Sequence, residues 1–145
     1  MIVVYRATPA LFAGDLSGEG ARLYGGRWNE RGVPALYTAS SVALALLENL
    51  VHIGDKADFP VSYTITEIEV DGELQTMAEV PPERATSQRL GTGLLADPTC
   101  LGFWTPSVVV AHERNLVLNP RCRDFAQRVL VRQTFLQPVD QRLNR

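Results

Sequence analysis

The spacing of hydrophobic positions changes several times along the 145-residue chain, and each change marks an element. Residues 2–6, IVVYR, form a short β-branched and aromatic run that ends on Arg6, the pattern of a β-strand. Between residues 12 and 34 the aliphatic side chains thin out, and glycines stand at 14, 18, 20, 25, 26 and 32. No helical or strand period survives there, so a long irregular segment is expected, of the kind that in compact domains usually carries function. Residues 34–39, PALYTA, predict a short strand. Residues 40–54, SSVALALLENLVHIG, predict a helix capped by Ser40 or Ser41 and ended by Gly54. It is apolar nearly all round, which predicts burial. In residues 60–70, Val61, Tyr63 and Ile65 alternate with Ser62, Thr64 and Thr66, a half-buried strand. Residues 81–96 open on Pro81-Pro82 and read as a weak helix broken by Gly91 and Gly93. PSVVVA (106–111), NLVLN (115–119) and RVLVRQTFLQ (128–137) predict further strands. The sum is an α+β chain with one strong helix in the first half and no repeat or low-complexity tract.

Composition narrows the function. A chain of 16.0 kDa has room for one domain, spanning 1–145, with a proper core. The net charge of -2 and the lack of a basic run argue against direct nucleic-acid binding through phosphate neutralisation. No apolar run approaches membrane-spanning length, so no membrane partner is expected, and MIVVYRATP is too soon interrupted by Arg6 for a signal peptide. The expected location is a reducing cytoplasm. Cys100 and Cys122 lack metal-type spacing, and with His52 and His112 the only histidines no metal site is expected. Of 14 basic side chains all but Lys56 are arginine. Coding bias accounts for that as readily as a preference for the forked guanidinium at phosphates or carboxylates.

Single residues then stand out. YGGRWNERG (24–32) places Arg27 and Trp28 in a glycine-rich turn, where Trp28 is either a loop anchor or a ligand contact. Glu48 is the only charge between Ser40 and Ile53, and helical spacing puts it on a stripe with Ser41, Ala45 and His52. It either reaches water or a structural arginine at the helix margin, or faces a cleft. Arg6 at a strand end, Tyr37 in a short strand and Ser107 at the head of PSVVV are each open to a plain structural reading.

Taken in order, however, Arg6, GGRWN with Arg27, LYTASS with Tyr37, ALLE with Glu48, PSVVV with Ser107 and then NLVLNP resemble the RES domain, from about residue 3 to the DQRL near the C-terminus. Two stretches depart from the family's usual pattern: TGLL follows QRLG where an aromatic is common, and Arg121-Cys122 stand where a histidine is frequent. The resemblance implies a single-domain ADP-ribosyltransferase-like fold, a split and bent β-sheet with helices packed outside. It implies a toxin of a bacterial toxin–antitoxin pair, inhibited by an Xre-like antitoxin protein. NAD is then the substrate rather than a bound cofactor, cleaved at its nicotinamide–ribose bond by water or phosphate, or with ADP-ribose passed to a protein. Carried over by position, Arg6 and Arg27 would contact the pyrophosphate or an incoming phosphate, and Tyr37 would flank the nicotinamide and its ribose. Glu48 would be the catalytic carboxylate, and Ser107 would help fix the nicotinamide end. On that reading the glycines of GGRWN let backbone approach the ligand, and Trp28 anchors the loop.

Overall fold

Seven strands pair into one sheet in the computed structural model, which describes every residue from Met1 to Arg145. In chain order the elements are β1 (Ile2–Thr8), α1 (Glu19–Tyr24), β2 (Leu36–Ala39), α2 (Val42–Leu50), β3 (Ser62–Val70), β4 (Gln75–Thr76), α3 (Arg84–Leu95), β5 (Gly102–Pro106), β6 (Arg114–Leu118), α4 (Phe125–Arg128) and β7 (Val129–Pro138). Across the sheet they lie β4-β5-β6-β2-β1-β3-β7, antiparallel except for the β4–β5 pair. The β1–β3 and β3–β7 ladders are long, but β1 and β2 share one paired position, Tyr5 with Ala39. The sheet is therefore almost divided into β4-β5-β6-β2 and β1-β3-β7, which is the split α+β core that the family resemblance implies. No helix is long and apolar enough to cross a membrane.

Paired residues on neighbouring strands project to the same face, so the registers sort the core. Val4 opposite Ile68, and Leu36 opposite Leu118, build one face, where Val70, Leu101, Leu116, Cys122 and Val129 complete a cluster. The other face carries two clusters. One packs α2, through Leu44 and Ala45, onto Ala7, Ala39, Tyr63 and Ile65. The second packs Leu95 of α3 with Trp28 and Ala35 onto Phe103 and Val117. Between them on the same face lie Tyr37 and Ala39 of β2, with Asn115 opposite Ala39 and Thr105 opposite Asn115.

Four expectations need correcting. The irregular segment holds a short helix, α1, begun by Gly18 in the left-handed region at φ 69° and ended by Gly25 at φ 75°. The strand expected at 106–111 lies earlier, at Gly102–Pro106; after it the Ser107 hydroxyl accepts the N–H groups of Val109 and Val110 at 3.1 and 3.0 Å, and this local turn outcompetes a ladder. Gly91 and Gly93 do not break α3, which is continuous over 12 residues. Helix α2 is also shorter than expected, ending at Leu50 well before Gly54, and its Leu47 and Val51 are 37% and 54% exposed. Only its Leu44–Ala45 side is buried.

Candidate functional site

Ser41 caps α2 by accepting the Leu44 N–H at 3.1 Å, which fixes the start and hence the rotation of the helix. Ala45 then packs into the core, and Glu48, one turn on, is held beside β6. Its Oε1 accepts from Ser107 Oγ at 2.6 Å and from Asn115 Nδ2 at 2.8 Å. Oε2 accepts from nothing in the protein, and no arginine pairs with the carboxylate, so Glu48 is not a structural ion-pair partner. Ser107 is 3% exposed, and its oxygen already takes two backbone N–H groups, so its single proton is committed to Glu48. The amide of Asn115 is oriented by the same carboxylate, since flipping it would set two oxygens face to face. That leaves Asn115 Oδ1 buried without a partner, an acceptor waiting for a donor.

Tyr37 lies on the same face. Its phenol donates to Asn29 Oδ1 at 2.6 Å and accepts the Trp28 N–H at 2.9 Å. Burial pushes its pKa up to about 12, against the opposing pull of the Trp28 N–H and of the Arg84 and Arg27 guanidiniums. Since the folded state holds this proton more tightly than the unfolded chain, the stabilisation is complete below pH 10 and is lost as pH rises to about 12. We expect unfolding free energy to fall by about 2–3 kcal/mol across that window beyond what Tyr37→Phe shows, measured by denaturant titration. Equal slopes for the two proteins would mean the phenol is not so buried.

The loop that meets Tyr37 is built around Asn29, which is fully buried and donates to Ala21 O at 2.8 Å and Val33 O at 2.9 Å. Gly26 is required here by the phenol: a Cβ there would lie 2.6 Å from Tyr37 Oη. Trp28 is the loop anchor, 2% exposed and edge-on to Phe103 with centroids 5.7 Å apart. Helix α3 completes the clamp. Ser87 Oγ donates to Arg27 O at 2.7 Å, Gln88 Nε2 to Gly26 O at 2.9 Å, and Thr92 Oγ1 accepts the Glu30 N–H at 3.0 Å. The Arg27 backbone is thus held on both sides, while its half-buried guanidinium forms no hydrogen bond or ion pair within the protein.

The structure brings Glu48 and Ser107 into contact and sets Tyr37 on the same sheet face with Arg27 near it. Arg6 stands apart. Its partner in the ladder is Thr66, which puts it on the face of Val4 and Ile68, and its Nη1 donates to Asp15 O at 2.8 Å. Asn115 and Asn29 carry as much of the geometry as the expected residues and were not singled out in the sequence. Asn29 sits inside the GGRWN motif, but Asn115 merely begins an apolar run, and only the pairing of β6 with β2 shows what it faces. Two surface hollows of about 480 and 600 Å³ are lined by residues such as Glu73, Thr99, Leu101 and Arg128 and include none of the motif residues.

Comparison with known proteins shows what the chain as a whole is similar to. The RES domain pattern matches residues 3–140. The chain is 39% identical over 122 residues to a protein of Yersinia enterocolitica called Toxin Res, covering 78% of this chain and 80% of that one. It is 42% identical over 124 residues to a Sphingobium protein called Prs ADP-ribosylating toxin, covering 74% of each. A similar fold occurs in the crystal structure of the Mycobacterium tuberculosis MbcT–MbcA toxin–antitoxin complex, with TM-score 0.71 and 22% identity over 99% of this chain and 86% of that one.

Proposed function

The chain belongs to the RES domain family, and we propose that it is the toxin of a bacterial toxin–antitoxin pair that cleaves the nicotinamide–ribose bond of NAD. The observation that carries this reading is the Glu48 carboxylate, with one oxygen fixed by Ser107 and Asn115 and the other left free. In the cleavage, the bond between ribose C1′ and the pyridinium nitrogen breaks and its electron pair goes to nicotinamide, which departs neutral and needs no general acid. Positive charge builds on the ribose as an oxocarbenium-like centre. A carboxylate already held in place stabilises that charge more than it stabilises the ground state, which lowers the barrier. Water or phosphate oxygen then bonds to C1′; water releases its proton, and ADP-ribose or its phosphate leaves. The committed proton of Tyr37 suits its ring, rather than its hydroxyl, for contact with nicotinamide.

Arg27, with its backbone clamped and its guanidinium unpaired, suits the pyrophosphate. Arg27→Lys retains charge but loses the bidentate fork, so NAD turnover should fall by about tenfold or more. The same change at exposed Arg142, which pairs with Asp140, should leave it unaltered. Like behaviour of the two variants in a turnover assay would make Arg27 structural.

The name of the Sphingobium relative favours a second reading, transfer of ADP-ribose to a protein side chain by the same residues. Incubating the protein with labelled NAD, with and without phosphate, and identifying the products by mass separates the readings. Free ADP-ribose or its phosphate supports cleavage, label retained on protein supports transfer, and intact NAD in every arm sinks both. The toxin reading also implies an inhibitory protein partner, with an Xre-like antitoxin the family expectation. Harmless high-level expression of this chain alone in a bacterial cytoplasm would count against it.

A further inference from the structure

Glu48 projects from a helix of which only the Leu44–Ala45 side is buried, and a glutamate carboxylate swings about several bonds. A charge that acts on a transition state must nevertheless stand still, since a displacement of roughly 1 Å can cost about 10²-fold in rate. We propose that Asn115 of β6 is the positioning residue that completes the hold on Glu48, fixing the plane of its carboxylate so that Oε2 faces the substrate. The proposal deepens the reading of Glu48 as the carboxylate of NAD cleavage and rests on it.

Ser107 cannot supply that hold alone. It gives one hydrogen bond, 2.6 Å to Oε1, and the carboxylate is free to turn about a single contact. Asn115 Nδ2 reaches the same oxygen at 2.8 Å from a different strand, and two donors arriving from two directions stop the rotation. Asn115 is itself held on both sides by the sheet, opposite Ala39 of β2 and Thr105 of β5, so this donor stands on paired strand rather than on a loop. The arrangement costs stability. With Nδ2 turned to the carboxylate, Oδ1 is buried without a partner, whereas an apolar side chain at position 115 would leave no such orphan. A hydrogen bond kept at the expense of a buried unpaired oxygen points to a residue that serves the site rather than the fold.

Wild type, Asn115→Ala and Asn115→Asp are compared for steady-state NAD cleavage across pH and for thermal melting, and the Asn115 side-chain amide is followed by NMR without substrate. Asn115→Ala should lower kcat about 10- to 100-fold with little change in KM, and should melt within about 3 °C of wild type. Asn115→Asp keeps the shape but sets a second carboxyl against Oε1, and two carboxyls this close share one proton. While they share it, the bridging proton replaces the amide N–H and the pair keeps one negative charge. Once it is lost, the two carboxylates repel and Glu48 is pushed from its place. The kcat of Asn115→Asp relative to wild type at the same pH should therefore be highest at the acid end and fall about tenfold or more as pH rises. Tyr5, Tyr37, Tyr63, Glu67 and Glu69 share this sheet face, and His52 lies just beyond the end of α2. All six are common to both proteins, so the ratio isolates position 115. Wild-type kcat in Asn115→Ala, or a ratio that does not move with pH, overturns the proposal. A collapse of the melting temperature in both variants overturns it as well, by making Asn115 structural. In the NMR arm the two Asn115 amide protons should have widely separated shifts in wild type, which Glu48→Ala brings together. If they do and wild type cleaves no NAD, the hold on Glu48 stands and the NAD reading falls; if Glu48→Ala leaves the shifts unchanged, the hold is absent and the proposal fails.

Discussion

Glu48→Gln should remove nearly all NAD cleavage while the protein folds and melts as before. Gln has nearly the shape of Glu, and its side-chain oxygen can still accept from Ser107 Oγ and Asn115 Nδ2, the two donors that now hold Oε1. No arginine is left without a partner, because none pairs with Glu48. The penalty of about 3–5 kcal/mol for breaking a buried ion pair therefore does not apply, and the melting temperature should stay within about 3 °C of wild type. What disappears is the negative charge opposite the developing oxocarbenium centre. One well-placed electrostatic stabiliser is typically worth about 10²–10³ in rate. Turnover near wild type would dismiss Glu48 as the catalytic carboxylate, and a collapse in melting temperature would make its role structural.

The second large effect is on stability and has opposite signs two residues apart. Gly91→Ala should destabilise the protein, and Gly93→Ala should not. In an exposed helix either change would gain about 1 kcal/mol from helix propensity. At Gly93 nothing lies within 4 Å of the new Cβ, so that gain should be realised. At Gly91 the new Cβ would stand 1.8 Å from the Trp28 carbonyl oxygen and 2.7 Å from its carbon. The obstacle is backbone, which cannot swing aside as a side-chain tip can. Helix α3 must back away, straining the Ser87 and Gln88 hydrogen bonds and the packing of Trp28 on Phe103. Overpacking of this kind costs about 1–3 kcal/mol, and more where backbone is hit, enough to outweigh the propensity gain. Denaturant unfolding of the two variants side by side checks the signs. Gly91→Ala should also raise KM for NAD, because Arg27 rides on the displaced loop. A stabilised Gly91→Ala would mean that the helix and loop are not docked this closely.

Local chemistry in the chain determined a good deal of this protein. The β-branched run at IVVYR, the alternation through Tyr63 and Ile65, and the serine cap ahead of VALALLENL each specify their element through side chains within a few residues, and all three are in place. The anchoring role of Trp28 follows from similar reasoning, since a large apolar ring in a polar turn has to be buried somewhere. The order of Arg6, Arg27, Tyr37, Glu48 and Ser107 along the chain was also enough to suggest the family, whose pattern matches residues 3–140.

Long-range pairing decided the rest. Helix α3 continues through Gly91 against local propensity, and a glycine stands there because a carbonyl from residue 28 needs the space. The end of a strand at Pro106 depends on the Ser107 hydroxyl, whose proton goes to a carboxylate 59 positions earlier. Asn115 faces Glu48 only because β6 pairs with β2 and α2 packs on that face. Arg6 is displaced from the others because a strand sends alternate residues to opposite faces, and its register with Thr66 chose the face away from α2. The sequence alone thus singles out side chains suited to the proposed reaction. Which of them share a face is set by registers and crossovers between residues dozens of positions apart, and a local pattern has no means to encode that.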